Sequence, residues 1–237
     1  MKIVINPNYN QLKSFILNIS NTFQTEGEII YNERNVLKVY AIEGLEVVVK
    51  RFKKPHIINQ IAYSFFRPSK AERSYEYALK LLEKGISTPT PIAYIEEKRN
   101  GLLKYSYYIC ISESQQSHIR KQMLGETNEE FLKALARFIA ELHNKVVLDK
   151  DLSPGNVLFN EENGVIHFSL IDINRMRFLE KIPLKTRYEN FKRISENAEV
   201  IKKLAKEYAR VCGINEQETI LAINKYVSRF SGNNYSF

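Results

Sequence analysis

The sequence predicts an α+β chain in two lobes, an N-terminal five-stranded antiparallel sheet carrying one helix and then a mainly helical C-terminal lobe. Three observations predict it. Residues 29 to 111 are dominated by β-branched and aromatic runs separated by turn residues, one amphipathic helical stretch interrupts them, and past residue 127 the apolar residues recur at helical spacing. The division is expected near residue 111, with 1–111 as the N-lobe and 112–237 as the C-lobe of a single domain.

The first three strands are expected at Ile29–Tyr31, Val36–Tyr40 and Leu45–Phe52, separated by Asn32–Asn35 and by Glu43-Gly44. A helix then starts behind Ser69, with Glu72 three residues on as a capping box, and stops at Gly85; Tyr75, Ala78, Leu79 and Leu82 are its expected buried stripe. Ile92–Ile95 and Leu102–Ile111, joined through Asn100-Gly101, complete the sheet.

In the second lobe Thr127-Asn-Glu-Glu130 reads as a capping box, followed by Phe131, Leu135, Phe138 and Leu142 at helical spacing. Val157–Phe159 and Val165–Ile171 form a hairpin over Asn163-Gly164, and helices are expected over 187–211, stopped by Gly213, and over 216–229 behind an Asn215 cap.

Composition narrows the class. With 44% apolar and 26% charged residues the chain is expected to fold without a disordered arm. Its start lacks an apolar core with a cleavage site, and no stretch approaches the roughly 20 apolar residues of a membrane span, so a cytoplasmic location is expected. Cys110 and Cys212 have no metal-ligand spacing and are expected to be reduced, buried thiols. Thirty-five basic residues against 27 acidic ones favour an anionic partner, and no nucleic-acid reading motif accompanies them.

The chemistry lies in an ordered set: Lys50 at the end of the third strand, Asp151-Leu-Ser-Pro-Gly-Asn156 after a long helix, and Asp172 at the end of the hairpin. Phosphoryl transfer needs little more than positioning and charge neutralisation, which these residue types supply. A lysine neutralises phosphate oxygens, Asp151 can accept or orient the proton of an attacking hydroxyl, and Asn156 with Asp172 offers hard oxygen ligands to magnesium. Lys50, the loop and Asp172 fall in the order found in kinases.

Together, Val48-Val-Lys50-Arg-Phe, Arg67-Pro-Ser-Lys-Ala71, Leu142-His143, Asp151–Asn156 and Ile171-Asp-Ile-Asn-Arg175 resemble the lipopolysaccharide core kinase (Kdo/WaaP) family, over roughly residues 29 to 180. The resemblance implies a protein-kinase-like fold, ATP and Mg2+ as co-substrates, and transfer to a sugar hydroxyl, of Kdo or heptose, in the lipid-linked inner core. It implies Asp151 as the catalytic residue, Lys50 as the phosphate-binding lysine, and Asn156 and Asp172 as metal ligands. Ser112 and Glu113 fall where the interlobe hinge would meet adenine. Glu76 is the expected partner of Lys50, since Glu72 already serves the capping box.

The sequence also departs from protein kinases. Asp149-Lys150 replaces His-Arg before the catalytic aspartate, and Ser153 replaces the lysine two residues after it, a charge that Lys150 is placed to replace. Ile-Asn174-Arg175 follows Asp172 without a long activation segment, and Tyr31–Asn35 occupies the place of a glycine-rich loop without one glycine. These departures weigh against a protein acceptor; a protein or a soluble small molecule as acceptor, and a non-catalytic binding module, stand as the alternatives to the lipid-linked sugar. Residues 50 to 73, with seven Lys or Arg and one acid among Phe52, Tyr63, Phe65 and Phe66, are expected to form a peripheral contact with the inner membrane, on its cytoplasmic face.

Overall fold

The computed structural model describes residues 1–114, 116–124 and 128–234, and the chain divides into two compact units, Met1–Glu113 and Ser114–Phe237.

In the first unit the order is β1 (Lys2–Ile5), α1 (Lys13–Thr22), β2 (Glu28–Asn32), β3 (Val36–Ile42), β4 (Leu45–Phe52), α2 (Ile57–Phe65), α3 (Lys70–Glu83), β5 (Pro91–Arg99) and β6 (Leu102–Ile111). All strands pair antiparallel in the order β1-β5-β6-β4-β3-β2. The sheet therefore has six strands, not five. The extra one is the β-branched run Lys-Ile-Val-Ile at the start of the chain, which pairs with β5 from Lys2↔Glu96 to Ile5↔Ala93. Two further helices, α1 and α2, join the one that was expected. Glu43-Gly44 and Asn100-Gly101 both sit at positive φ, as the two central residues of a type I′ hairpin turn require.

Strand alternation divides the core between the two faces of the sheet. Val47 and Val49 of β4 pack with Ile92, Ile95, Ile109, with Ile16 and Ile19 of α1, and with Leu12 and Phe23 that flank it. Phe52 instead shares the opposite cluster with Ala71 and Tyr75 of α3, Tyr94, Tyr108 and Cys110. The helix α3 is capped as expected, Ser69 Oγ accepting from the Glu72 N–H at 3.1 Å. The Glu72 carboxylate does not close the expected box; it takes the Lys2 ammonium at 2.7 Å and the Tyr94 hydroxyl at 3.1 Å. The helix phase is also one step off the expected one. Ala71, Ser74, Tyr75, Ala78 and Leu81 are buried, whereas Leu79 and Leu82 are exposed, because the i, i+3, i+4, i+7 series starts from Ala71.

The second unit contains β7 (Ser117–His118), α4 (Glu129–Asn144), β8 (Val147–Asp149), β9 (Val157–Glu162), β10 (Val165–Leu170), β11 (Met176–Phe178), α5 (Leu184–Glu189), α6 (Ala198–Cys212) and α7 (Glu216–Asn234). Asn128 caps α4 by accepting from the Glu130 N–H; the cap expected at Thr127 lies outside the described residues. The Asn163-Gly164 hairpin joins β9 to β10 in register from Val165↔Glu162 to Leu170↔Val157. The single helix expected over 187–211 is broken. After α5 a 3-10 turn spans Asn190–Arg193, and α6 restarts behind Asn197, whose side chain accepts from the N–H groups of Glu199 and Val200. Gly213, at φ 65°, ends α6, and Asn215 Oδ1 accepts from the Glu218 N–H to start α7. Cys110 is buried and Cys212 only half-buried; both are free thiols. No described helix is long and apolar enough to cross a membrane.

Candidate active site

Two short strand pairs hold the loop 151–156 at both ends. At its start β8 pairs with β11, Asp149 opposite Met176. At its end the Ile171 N–H donates to the Asn156 carbonyl at 3.0 Å, continuing the β9–β10 ladder. Between them the Asn156 N–H donates to the Ser153 carbonyl at 2.9 Å, closing the turn through Pro154 and Gly155. Asp172, well downstream of Asp151 and Asn156, is thereby tied to their loop through one hydrogen-bonded piece of backbone.

The loop's polar groups are engaged in a definite pattern. The Asn156 Nδ2 donates to the Asp151 carbonyl at 2.9 Å, so the amide oxygen is the end that remains to act as a ligand. Asp172 sits in the left-handed region (φ 55°, ψ 38°), a conformation that aspartate tolerates better than most residues, and Asn174 Nδ2 donates to its Oδ1 at 2.6 Å. A carboxylate and an amide oxygen fit magnesium, which takes few protein ligands and keeps waters and phosphate oxygens for the rest. Among the described residues no cluster of three or more His, Cys, Asp or Glu offers a competing metal site.

Beneath the loop lies a buried polar chain. The Asp151 N–H donates to Asp149 Oδ1 at 2.8 Å, while Asp149 Oδ2 is buried without a partner among the described residues. Burial pushes the Asp149 carboxyl up to about 7, the bond from Asp151 working against that rise and the charges of Asp151 and Asp172 adding to it. The Asn190 Nδ2 donates to the Asp149 carbonyl at 2.7 Å, and its Oδ1 lies 3.0 Å from His143 Nε2. His143 Nδ1 lies 2.8 Å from the Tyr208 hydroxyl, and burial lowers the imidazole to about 4. His143 is thus a packed residue of α4, as its place on a last helical turn suggests.

Asp151 itself is flanked by arginines. Arg193 Nη1 bonds its Oδ1 and Arg175 Nη1 lies 3.3 Å from its Oδ2. Arg193 and Asn190 were not legible as site residues, because the sequence around them reads as uninterrupted helix; the one available signal was the Ser195-Glu-Asn197 capping run, which marks a restart. Lys150, placed by sequence to replace the charge missing at Ser153, is exposed and makes no ion pair among the described residues.

In the first unit Lys50 lies in β4 opposite Tyr108 of β6, on the α3 side of the sheet, with its ammonium 5.3 Å from the centroid of Phe52. Glu76, its expected partner, is exposed, and no Lys50–Glu76 ion pair is present among the described residues. The reason is helix phase. Tyr75 points into the core, so Glu76, about 100° further round, points out. At the expected hinge the Ser112 N–H donates to the Glu46 carbonyl at 2.9 Å, so it is already engaged, and Glu113 is half-buried.

A search of the curated proteins gives no match. Among solved structures, WaaP in complex with acyl carrier protein superposes with a TM-score of 0.65 at 14% identity, covering 97% of this chain and 99% of that one. The Rio2 kinase from Chaetomium thermophilum, in an ADP/Mg2+-phosphoaspartate complex, superposes at 0.50 with 14% identity, covering 96% of this chain and 72% of that one. At these identities both show the fold, that of protein-kinase-like enzymes. The profile of the lipopolysaccharide kinase (Kdo/WaaP) family matches residues 35–213, three-quarters of the sequence and all of the loop just described, and the chain belongs to that family.

Proposed function

We propose that this protein is an ATP- and Mg2+-dependent kinase that phosphorylates a sugar hydroxyl, of Kdo or heptose, in the lipopolysaccharide inner core. Membership of a kinase family supports a phosphotransferase using ATP. The observation that carries the site assignment is the loop 151–156, where the Asn156 amide is fixed on the Asp151 carbonyl and Asp172 follows directly on the strand bonded to Asn156. In this reading Asp151 orients the acceptor hydroxyl and takes its proton, while Asn156 and Asp172 hold the metal. When bound, Mg2+ neutralises phosphate charge and orients the phosphates. Lys50 serves the phosphates, and Ser112 and Glu113 belong to the segment that meets adenine, with the Ser112 N–H excluded.

The acceptor is membrane-embedded, and the first unit has a surface suited to it. The helix α2 has no buried residue; Ile58 is 78% and Phe66, just after it, 80% exposed, with Ile57, Ile61 and Phe65 beside them. Next to it a cavity of about 220 Å³ is lined by Arg34, Lys53, Lys54, His56, Tyr63 and Lys70. An apolar helix face with a basic rim matches an interfacial helix on anionic lipid, and we place the protein on the cytoplasmic face of the inner membrane.

The test is to incubate the protein with γ-labelled ATP, Mg2+ and dephosphorylated core lipid. Label should enter the lipid and Asp151→Ala should lose it by about 10²- to 10⁴-fold. No transfer to the lipid, or transfer indifferent to Asp151→Ala, overturns the reading, and preferential labelling of an added soluble sugar would reassign the acceptor.

A further inference from the structure

The residue two places after the catalytic aspartate of protein kinases is a lysine, and here it is Ser153. The deficit matters because the phosphoryl group in flight carries charge on three oxygens, and the cations placed around it supply much of the rate. The replacement expected from sequence, Lys150, is exposed and makes no ion pair among the described residues. Two other cations already sit on the Asp151 carboxylate. Arg193 bonds one oxygen of Asp151, and Arg175 lies 3.3 Å from the other.

Their mounting favours a working position over a chance surface pair. Arg193 ends the 3-10 turn whose first residue, Asn190, is bonded to the Asp149 carbonyl, and its guanidinium lies 5.8 Å from the Phe230 ring of α7. Arg175 ends the 3-10 turn that begins behind Asp172. Both side chains remain partly exposed, at 39% and 56%, whereas that of Asp151 is 18% exposed. A guanidinium has five N–H donors in a fixed fork, so it can keep one on Asp151 and present others to a phosphate oxygen. Two guanidinium charges on one carboxylate also leave a net positive charge at that point.

We propose that Arg193, assisted by Arg175, is a catalytic residue that supplies the phosphoryl-facing cation missing at Ser153. The inference rests on the reading of Asp151 given above. In the step, the acceptor hydroxyl gives its proton to Asp151 and its oxygen forms a bond to the γ-phosphorus. The bond from that phosphorus to the bridging oxygen breaks, and its electron pair leaves on ADP. Both guanidiniums stay protonated throughout and act by charge and hydrogen bonding.

The experiment compares wild type with Arg193→Gln, Arg175→Gln, Arg193→Lys, and Arg193→Gln combined with Ser153→Lys. Three quantities are read: transfer to core lipid, slow Mg2+-dependent hydrolysis of ATP by water, and affinity for a fluorescent ATP analogue. Arg193→Gln should lower kcat by about 10²- to 10³-fold, with nucleotide affinity within about threefold of wild type. Arg175→Gln should lower kcat less, and adding Ser153→Lys to Arg193→Gln should recover about tenfold or more, which a merely structural loss would not allow. The Arg193→Lys variant should retain more activity than Arg193→Gln. Hydrolysis by water needs no acceptor, so if it follows this pattern while no lipid is labelled, the acceptor assignment fails and this inference stands. The inference is overturned if the arginine variants raise only the KM for the acceptor, which would make the pair an acceptor-binding site, or if Ser153→Lys restores nothing. Because Arg175 is mostly exposed, its variant keeps the test open should Arg193→Gln fold poorly, and an unchanged kcat there would then overturn it.

Discussion

The main-chain N–H of Asp151 donates to the carboxyl of Asp149 at 2.8 Å, so the residue standing where protein kinases carry histidine braces the loop from below. Removing that brace displaces Asp151 without touching it. With the role proposed for Asp151, Asp149→Ala should lower kcat by about 10- to 100-fold with little change in the KM for ATP, since small misplacements of a reacting group cost about that much. Asp149→Asn keeps an acceptor oxygen and should retain most of kcat. It should also change the pH dependence of stability. The folded carboxyl, raised to about 7 from 3.8, holds a proton that the unfolded chain has lost, so its contribution to stability falls as pH rises through that window. Relative to wild type, the Asn variant should therefore gain stability between pH 5 and pH 8 in urea titrations.

His143 works in the opposite direction. Its buried imidazole is lowered to about 4 from 6.5, so between those values the unfolded chain binds a proton that the folded protein excludes. Stability should fall as pH drops through this window, by on the order of 2–3 kcal/mol from this group. His143→Gln should be less stable at pH 7, because the Asn190 and Tyr208 contacts are altered, yet lose less on acidification; chemical denaturation at pH 7, 5.5 and 4.5 measures both.

The apolar face of α2 should be dispensable for folding. Replacing Ile58 and Phe66 by Asp removes little buried surface, so Tm should change by less than about 2 °C. Cosedimentation with vesicles containing anionic lipid should fall by at least about tenfold, whereas binding to neutral vesicles, weak in wild type, should change little.

The revised phase of α3 separates two leucines that are two residues apart. Leu81 is fully buried and Leu79 is 37% exposed. Leu81→Ala should cost about 2–5 kcal/mol and Leu79→Ala less than about 1 kcal/mol in equilibrium unfolding.

Lys50, Asp151, Asn156 and Asp172 could be named as candidates from sequence because each sits beside a signal of short range: a strand end, a Pro-Gly turn, an Asn-Gly hairpin. The three hairpin turns and the caps at Ser69 and Asn215 were legible for the same reason, since a turn or cap involves only neighbours. Missing were the strand Lys2–Ile5, too short to stand out until β5 is beside it, and the break at 190–197, hidden inside a helical pattern.

What the sequence by itself determined is the class of the protein, two units with a sheet-rich first half and a helical second half, and the residue types available for phosphoryl transfer. Tertiary structure alone decided which groups accompany them. It turned Glu76 outward, gave Glu72 to Lys2 and Tyr94, set Asp149 under Asp151, and brought Arg193 across 42 positions to its carboxylate. The physical reason is range. Capping and turn formation are settled within a few residues, whereas the partner of a charged side chain is chosen by whichever packed backbone delivers an opposite charge, and no local periodicity records that choice.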